Sequence, residues 1–174
     1  DTLVPTGLYL EPATQNHSIY TQLVNDSGNF AGWFNDFNAV VTSNAAISPD
    51  GTQTAHRIQH AATTSTYIGQ TISGLTTGKT YVFSFWWKRN GTDTTATLYY
   101  GGSSHVHTIP AEWTRESFSF TVPGGTSFIQ FDNVGSTAND YLIWHPQFEE
   151  GTTPTDYIQT ISSKNSAPRF THER

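Results

Sequence analysis

The sequence predicts an all-β domain, a β-sandwich jelly roll of two antiparallel sheets. Short alternating runs recur between clusters of Gly, Asn, Asp, Ser, Thr and Pro, at the spacing of roughly 8–12 residues that sandwiches show. No long stretch has the three-to-four spacing of apolar residues that a helix requires. Only 13% of the 174 residues are charged while 14% are aromatic, a balance typical of extracellular or virion β-domains.

The most strand-like run covers residues 79–89, which are rich in aromatic and β-branched side chains. Side chains on a strand alternate between two faces, so the aromatic residues at positions 81, 83, 85 and 87 share one face. We expect Trp87 on this buried face and Trp86 on the opposite one, among smaller and polar groups. This arrangement suits one layer of a sandwich.

Further strands are predicted on both sides of this run, each bounded by turn residues. They cover residues 7–11, 18–24, 38–43, 54–60, 67–72, 96–100, 105–109, 117–122, 128–132 and 141–149. Pro49 presets the backbone of the turn at 48–51, and the Asn-Gly pair at 90–91 suits a hairpin. Trp33 is expected to close one end of the core.

The overall composition limits the partners that the chain can have. Its net charge is -6 and its eight Lys and Arg are scattered, which argues against binding to nucleic acid. No apolar run approaches the ~20 residues of a membrane span, so we expect no membrane insertion. The length suits one domain, expected at residues 1–161, with a C-terminal tail or linker at 162–174.

Outward-facing side chains of the predicted strands are the candidates for a binding site. Flat aromatic rings stack on the C–H faces of sugars, while amide, imidazole and carboxylate groups bond their hydroxyls. The candidates are expected to lie together on one sheet as an aromatic and polar groove, and they are Trp86, Tyr141, His145, Gln147, Gln130, Asp132 and Tyr99.

Each of these assignments depends on which neighbours face the core. On the last strand, the prediction requires Leu142, Trp144, Pro146 and Phe148 to point inward. Gln130 and Asp132 point outward only if Ile129 and Phe131 point inward, and one of Tyr99 and Tyr100 must do so. Trp86 could instead cover an apolar patch at a subunit contact or pack under a loop.

Metal binding and catalysis have little support in the sequence. His105 and His107 would share one face of a strand, but no third ligand stands at a fixed spacing, so an exposed polar face is the favoured reading. Glu149, Glu150 and Asp156 raise the question of calcium, yet no Asp-rich loop identifies a site. Glycoside hydrolysis needs two carboxylates facing across a cleft, and most of the acids fall in turns.

Several segments in order resemble bacteriophage structural proteins that carry a jelly-roll module. The resemblance covers roughly residues 7–160 and is carried by residues 45–58 (AAISPDGTQTAHRI), 70–85 (QTISGLTTGKTYVFSF), 112–115 (EWTR), 118–123 (FSFTVP) and, most specifically, 143–158 (IWHPQFEEGTTPTDYI). In layout this family is similar to the β-sandwich carbohydrate-binding modules of the xylan- and glucan-binding type. Residues 167–174 also resemble the linker that leads into a further module.

The resemblance implies a module of a virion or tail fibre, outside the cell, that binds a glycan without catalysis. The expected ligand is a cell-surface or plant polysaccharide, and neighbouring virion subunits are further candidate partners. A structural calcium ion is implied by the resemblance alone. The alternatives are a decoration or oligomerisation module with no glycan ligand and, more remotely, a polysaccharide-degrading enzyme.

Overall fold

The computed structural model describes residues 9–16, 34–36, 39–62, 66–133, 138–159 and 165–171. These residues form twelve β-strands. The strands are β1 (Tyr9–Asn16), β2 (Phe34–Asp36), β3 (Val40–Ala46), β4 (Ala55–His60), β5 (Thr66–Ser73), β6 (Thr80–Arg89), β7 (Thr95–Tyr100), β8 (Ser103–Thr108), β9 (Thr114–Thr121), β10 (Thr126–Asn133), β11 (Asn139–Glu150) and β12 (Asn165–Thr171). The described ranges contain no helix capable of crossing a membrane.

The strands form two antiparallel sheets. Sheet A has seven strands: β12, β1, β11, β4 and β3 follow one another, β6 pairs with the other side of β11, and β9 pairs with β6. Sheet B has five strands in the order β2, β5, β10, β7, β8. The predicted fold class, an all-β sandwich of two antiparallel sheets, is therefore confirmed.

The core between the sheets is built around β6. Phe83, Phe85 and Trp87 are fully buried there, and Phe85 packs edge-on against both Trp87 and Phe131 of sheet B, with ring centroids 5.4 and 5.0 Å apart. Trp86, between them in sequence, is half-buried on the outer side of sheet A. Alternation along this strand was thus predicted correctly, and a wholly aromatic face explains why it lies at the centre.

A β-bulge interrupts β11 and changes the direction of its side chains. The pairing with β6 shifts register between Trp144 and Gln147, and His145 in this gap has a positive φ of 52°. A bulge adds one residue to one strand, so alternation before and after it is out of phase. Tyr141 therefore faces the core before the bulge, and Phe148 faces it afterwards; both are fully buried.

The two ends of the chain differ from the predicted strand pattern. Strand β1 continues through Pro12, which was expected to end it. Within the segment expected to be a tail, β12 pairs with β1 in sheet A. The predicted strand at 18–24 and Trp33 lie outside the described residues, and the division into 1–161 and 162–174 stays a prediction.

Candidate functional site

The outer face of sheet B brings together part of the predicted site. In the centre of this sheet Gln130 lies opposite Tyr99 on one side and Gly69 on the other. Two residues further along β10, Asp132 lies opposite Tyr67. Because directly opposed residues point to the same side of a sheet, these side chains share the outer face.

The inward neighbours that the predictions for Gln130, Asp132 and Tyr99 required are found in the core. Ile129 and Phe131 are fully buried in the core, so Gln130 and Asp132 alternate with them onto the outer face. Tyr100 belongs to the core cluster and Tyr99 is half-buried on the outer side, as the alternation of β7 requires.

Gly69 leaves the space that the Gln130 side chain occupies. A Cβ at position 69 would lie 2.5 Å from Cγ of Gln130 and 2.8 Å from the backbone oxygen of Ile129. Gln130 therefore lies across the bare backbone of β5. Among the described residues, the side chains of Tyr99 and Gln130 form no hydrogen bond, which leaves a phenol and an amide for a ligand.

Asp132 is held more firmly than its neighbours. It is only 5% exposed, and its Oδ1 accepts a hydrogen bond of 2.7 Å from the backbone N–H of Asn133. Burial raises the pKa of Asp132, and hydrogen bonds from the Asn133 backbone and the Ser104 side chain act in the opposite direction. The carboxylate thus belongs to the floor of this face.

Apolar side chains mark the borders of this face. Phe128, two residues before Gln130 on β10, is 44% exposed, and Val106 on the edge strand β8 is 73% exposed. The strands of sheet B contain no Lys or Arg. The face therefore offers aromatic rings, hydroxyls and an amide, without a cation from its own strands.

The other predicted residues lie on or under the opposite sheet, which corrects the expectation of one common groove. Trp86 faces the outer side of sheet A, opposite Trp144 on β11 and Arg115 on β9. Trp144 was expected in the core, but it is half-buried on this outer face, and its Nε1 donates to Oγ1 of Thr54 at 3.1 Å.

His145 lies on sheet A between two other rings. Its imidazole stacks on Trp144 with centroids 3.3 Å apart and on Tyr157 with centroids 3.4 Å apart. Burial lowers the pKa of His145 to about 4, although the nearby Asp50 carboxylate acts in the opposite direction. The imidazole is therefore neutral near pH 7 and acts here as an aromatic ring stacked between two others.

Gln147 is fully buried because the segment after β11 folds back over it. Its Oε1 accepts a hydrogen bond of 2.6 Å from the N–H of Ile158, and its Nε2 donates to the carbonyl of Asp156 at 3.3 Å. The neighbouring Glu149, also fully buried, accepts hydrogen bonds from the N–H and Oγ1 of Thr155. Gln147 therefore holds this segment instead of facing solvent.

Tyr141 was predicted to face outward, and this prediction is wrong. Its side chain is fully buried in the core, with Oη 3.0 Å from Nε2 of His60. Burial raises the pKa of the Tyr141 phenol. The error came from extending one phase of alternation along the whole last strand; the same error put Leu142 in the core, whereas it lies opposite Lys88 on the other side of the sheet.

Sequence reasoning missed Tyr67 and left Phe128 undecided. Both alternate with buried residues of their strands, since Ile68 and Ile129 are fully buried. The same alternation that placed Gln130 could have placed them. Sequence reasoning also missed Trp113, whose indole lies close to the Lys88 ammonium.

The described residues do not favour a metal site. They contain no group of three or more His, Cys, Asp or Glu side chains that could hold an ion. Of the carboxylates considered for calcium, Glu149 is bonded to Thr155, and Glu150 forms an ion pair of 3.2 Å with Lys79. His105 and His107 are half-buried: His105 stacks on Tyr100, and His107 packs against Phe118 with its ring tilted, so the expected exposed polar face is not formed.

Comparison with known proteins places this fold beside carbohydrate-binding modules. No model of a protein family and no curated protein matches the sequence. Among solved structures, a CBM4 is 21% identical with a TM-score of 0.55, covering 77% of this chain and 100% of its own. A xylan-binding domain from CBM 22 is 12% identical with a TM-score of 0.54, covering 80% of this chain and 98% of its own.

A phage protein has the same kind of domain. The enzymatically active domain of tailspike protein 4 from bacteriophage CBA120 is 20% identical with a TM-score of 0.53, over 78% of this chain. The match spans only 21% of that tailspike chain. At these identities the comparisons show the fold, and the predicted likeness to β-sandwich carbohydrate-binding modules is confirmed at that level.

Proposed function

We propose that this chain is a non-catalytic carbohydrate-binding module that holds a poly- or oligosaccharide on the outer face of sheet B. One observation carries the proposal. Tyr99 and Gln130 lie side by side at the centre of that face, half-buried and without hydrogen bonds to other described residues. A ring and an amide held in this way suit the two kinds of surface that a sugar presents.

The surroundings of this pair support an extended ligand. Tyr67 lies on β5 opposite Asp132, one outward position along from Gln130 and Tyr99, and Phe128 adds an exposed ring on β10 on the other side of Gln130. Because Gly69 has no side chain, the surface of β5 beside Gln130 is formed by bare backbone, which leaves room for a ligand between the aromatic rings. Aromatic positions on three neighbouring strands would then contact more than one sugar unit.

The carboxylates of this face favour binding over hydrolysis. Glycosidases use two carboxyl groups on opposite sides of the scissile bond. Strand register places two acidic residues on this face, Asp36 and Asp132, both opposite Tyr67. Asp132 is 5% exposed, with Asn133 and Ser104 as hydrogen-bond partners, so it is poorly placed to serve as one of such a pair. Reducing ends released from a polysaccharide panel would contradict this part of the proposal.

We further propose a virion setting, in a phage tail or surface protein. The likeness to the phage tailspike domain supports it. The same likeness favours the alternative of a decoration or oligomerisation module that packs on neighbouring subunits. Light scattering separates the two, since a structural module should associate at high concentration and a glycan-binding module can remain a monomer.

Affinity electrophoresis against a panel of polysaccharides tests the binding proposal. A ligand should retard the chain, and Tyr99→Ala should weaken binding severalfold, because a stacked ring contributes about 1 kcal/mol. Tyr99→Phe is the matched control and should retain most of the affinity. Gln130→Ala should also weaken binding. If both alanine variants are retarded as strongly as the unchanged chain, the sheet B face is not where the polysaccharide binds. If Trp86→Ala leaves the retardation unchanged, Trp86 does not contact that polysaccharide.

A further inference from the structure

A second aromatic surface lies on the opposite side of the sandwich. Trp86 and Lys88 project from the outer side of β6, since the intervening Trp87 is fully buried. Trp113 stands next to Thr114, which pairs with Trp87, so its indole reaches Lys88. Nζ of Lys88 lies 5.6 Å from the centroid of the Trp113 ring.

This surface is fixed by its surroundings and stays partly open. Nε1 of Trp113 donates a hydrogen bond of 3.1 Å to the carbonyl of Ile47, which holds the orientation of the indole. The side chains of Trp86, Lys88 and Trp113 are half-buried, and Ile47 beside them is 55% exposed. Exposed apolar surface rimmed by polar groups is a feature of interaction sites.

Lys88 has its charge available. The ion pairs in the described part of the chain join Arg57 to Asp140 and Lys79 to Glu150, and Lys88 takes part in neither. Arg115, the next cation on this face, donates to the carbonyl of Thr155 at 2.6 Å. An ammonium over an indole can still bind an anion, because it has three N–H donors and the ring contact occupies only one side of it.

We propose that Trp86, Lys88 and Trp113 form a second binding site, for a carboxylate-bearing sugar such as a uronate. The indoles would pack on the C–H face of the ring while the Lys88 ammonium binds the carboxylate. Trp86 and Lys88 are about 7 Å apart along the strand, which suits one sugar unit. A protein partner would need an interface of roughly 800 Å² on this side.

This site differs from the sheet B face in its chemistry and position. Sheet B has no Lys or Arg on its strands, whereas Lys88 and Arg115 both belong to sheet A. The two surfaces lie on opposite sides of the core, so one chain could hold a neutral and an acidic glycan segment together. The second site does not depend on the first.

Isothermal titration with uronate oligomers tests the proposal. Oligomers of galacturonate, glucuronate and mannuronate would each be compared with their carboxyl-reduced forms. At least one uronate should bind more tightly than its reduced form, and Lys88→Gln should lower that affinity about tenfold. Lys79→Gln is the matched control, because it removes an equal charge from a lysine already paired with Glu150.

Further variants separate the faces and guard against misfolding. Trp113→Ala should remove uronate binding, with circular dichroism as the check on folding, and Lys88→Arg should retain it. Tyr99→Ala should leave uronate binding unchanged. The proposal would be overturned if no uronate binds, if Lys79→Gln weakens binding as much as Lys88→Gln, or if Tyr99→Ala abolishes it. A Trp113-dependent dimer without sugar binding would also overturn it, and assign the surface to a second copy of the chain.

Discussion

Two buried histidines should make the fold sensitive to mild acid. His56 and His60 lie on the core side of β4, at 8% and 2% exposure. Burial lowers the pKa of each from 6.5 to about 4. The unfolded chain therefore binds more protons than the folded chain between these values, so stability falls as the pH decreases from 6.5 towards 4.

The size of this effect follows from the pKa values. At about 1.4 kcal/mol per pH unit, a pKa moved from 6.5 to about 4 destabilises the fold by about 3 kcal/mol once both states are protonated. At pH 5 each histidine should already have contributed about 2 kcal/mol of this loss. Because small domains are stable by only about 5–15 kcal/mol, two such histidines should be visible in any unfolding curve.

His56→Leu is the sharpest perturbation. Nδ1 of His56 has no hydrogen-bond partner among the described residues, so its removal leaves no bonded group unpaired there. His60, in contrast, is bonded to Thr66 and Tyr141. The free energy of unfolding from urea titrations should fall between pH 7.5 and 5 in both proteins, but by about 2 kcal/mol less in His56→Leu.

The comparison of the two proteins isolates His56, because His60 and His145, whose pKa values burial also lowers to about 4, titrate in both of them. The pKa of Asp50 is lowered to about 2 by hydrogen bonds from Ser48 and Thr52, so Asp50 affects stability only below about pH 4. An NMR titration of His56 should show a neutral ring down to about pH 5. Equal pH dependence in the two proteins, or an imidazolium at position 56 in the folded state, would refute the reasoning.

Two further variants test the sites described above. Gly69→Ala should destabilise the fold by about 1–3 kcal/mol, because the added methyl group would contact the backbone of Ile129, and it should weaken glycan binding by displacing Gln130. Thermal unfolding measures the first effect and affinity electrophoresis the second. Unchanged glycan binding would argue against Gln130 as a contact. Gln147→Ala should cost about 1–3 kcal/mol, because the N–H of Ile158 loses its acceptor; a change below 0.5 kcal/mol in urea unfolding would contradict the assigned role.

Alternation along single strands was predictable wherever the ladder was regular. On β6 and β10 the fully buried Phe85, Trp87 and Phe131 stand where the pattern placed them, and Tyr99 and Gln130 follow from the same rule. Strand pairing was harder to predict. Nothing in the local pattern shows that β10 and β7 belong to one sheet while β6 and β11 belong to the other, because sheet membership is decided by contacts between distant segments.

The bulge at His145 also could not be predicted from the alternation of residues in the sequence. The extra residue reverses the phase of one strand, so Tyr141 moved from the predicted site to the core. Locally, the bulge is marked by the positive φ of His145, a backbone feature that a histidine in the sequence does not indicate. The burial of Gln147 depends on a segment eleven residues further along, at Ile158.

The fold-back of residues 151–159 has a practical consequence for anyone who handles this module. Glu149 and Gln147, both without exposure, have their hydrogen-bonding needs met by Thr155 and Ile158. A fragment cut directly behind β11 would lose these hydrogen bonds and would expose to water the part of sheet A that residues 151–159 cover. Fusion partners and protease sites should therefore be attached beyond residue 171, where β12 ends, and not directly behind β11.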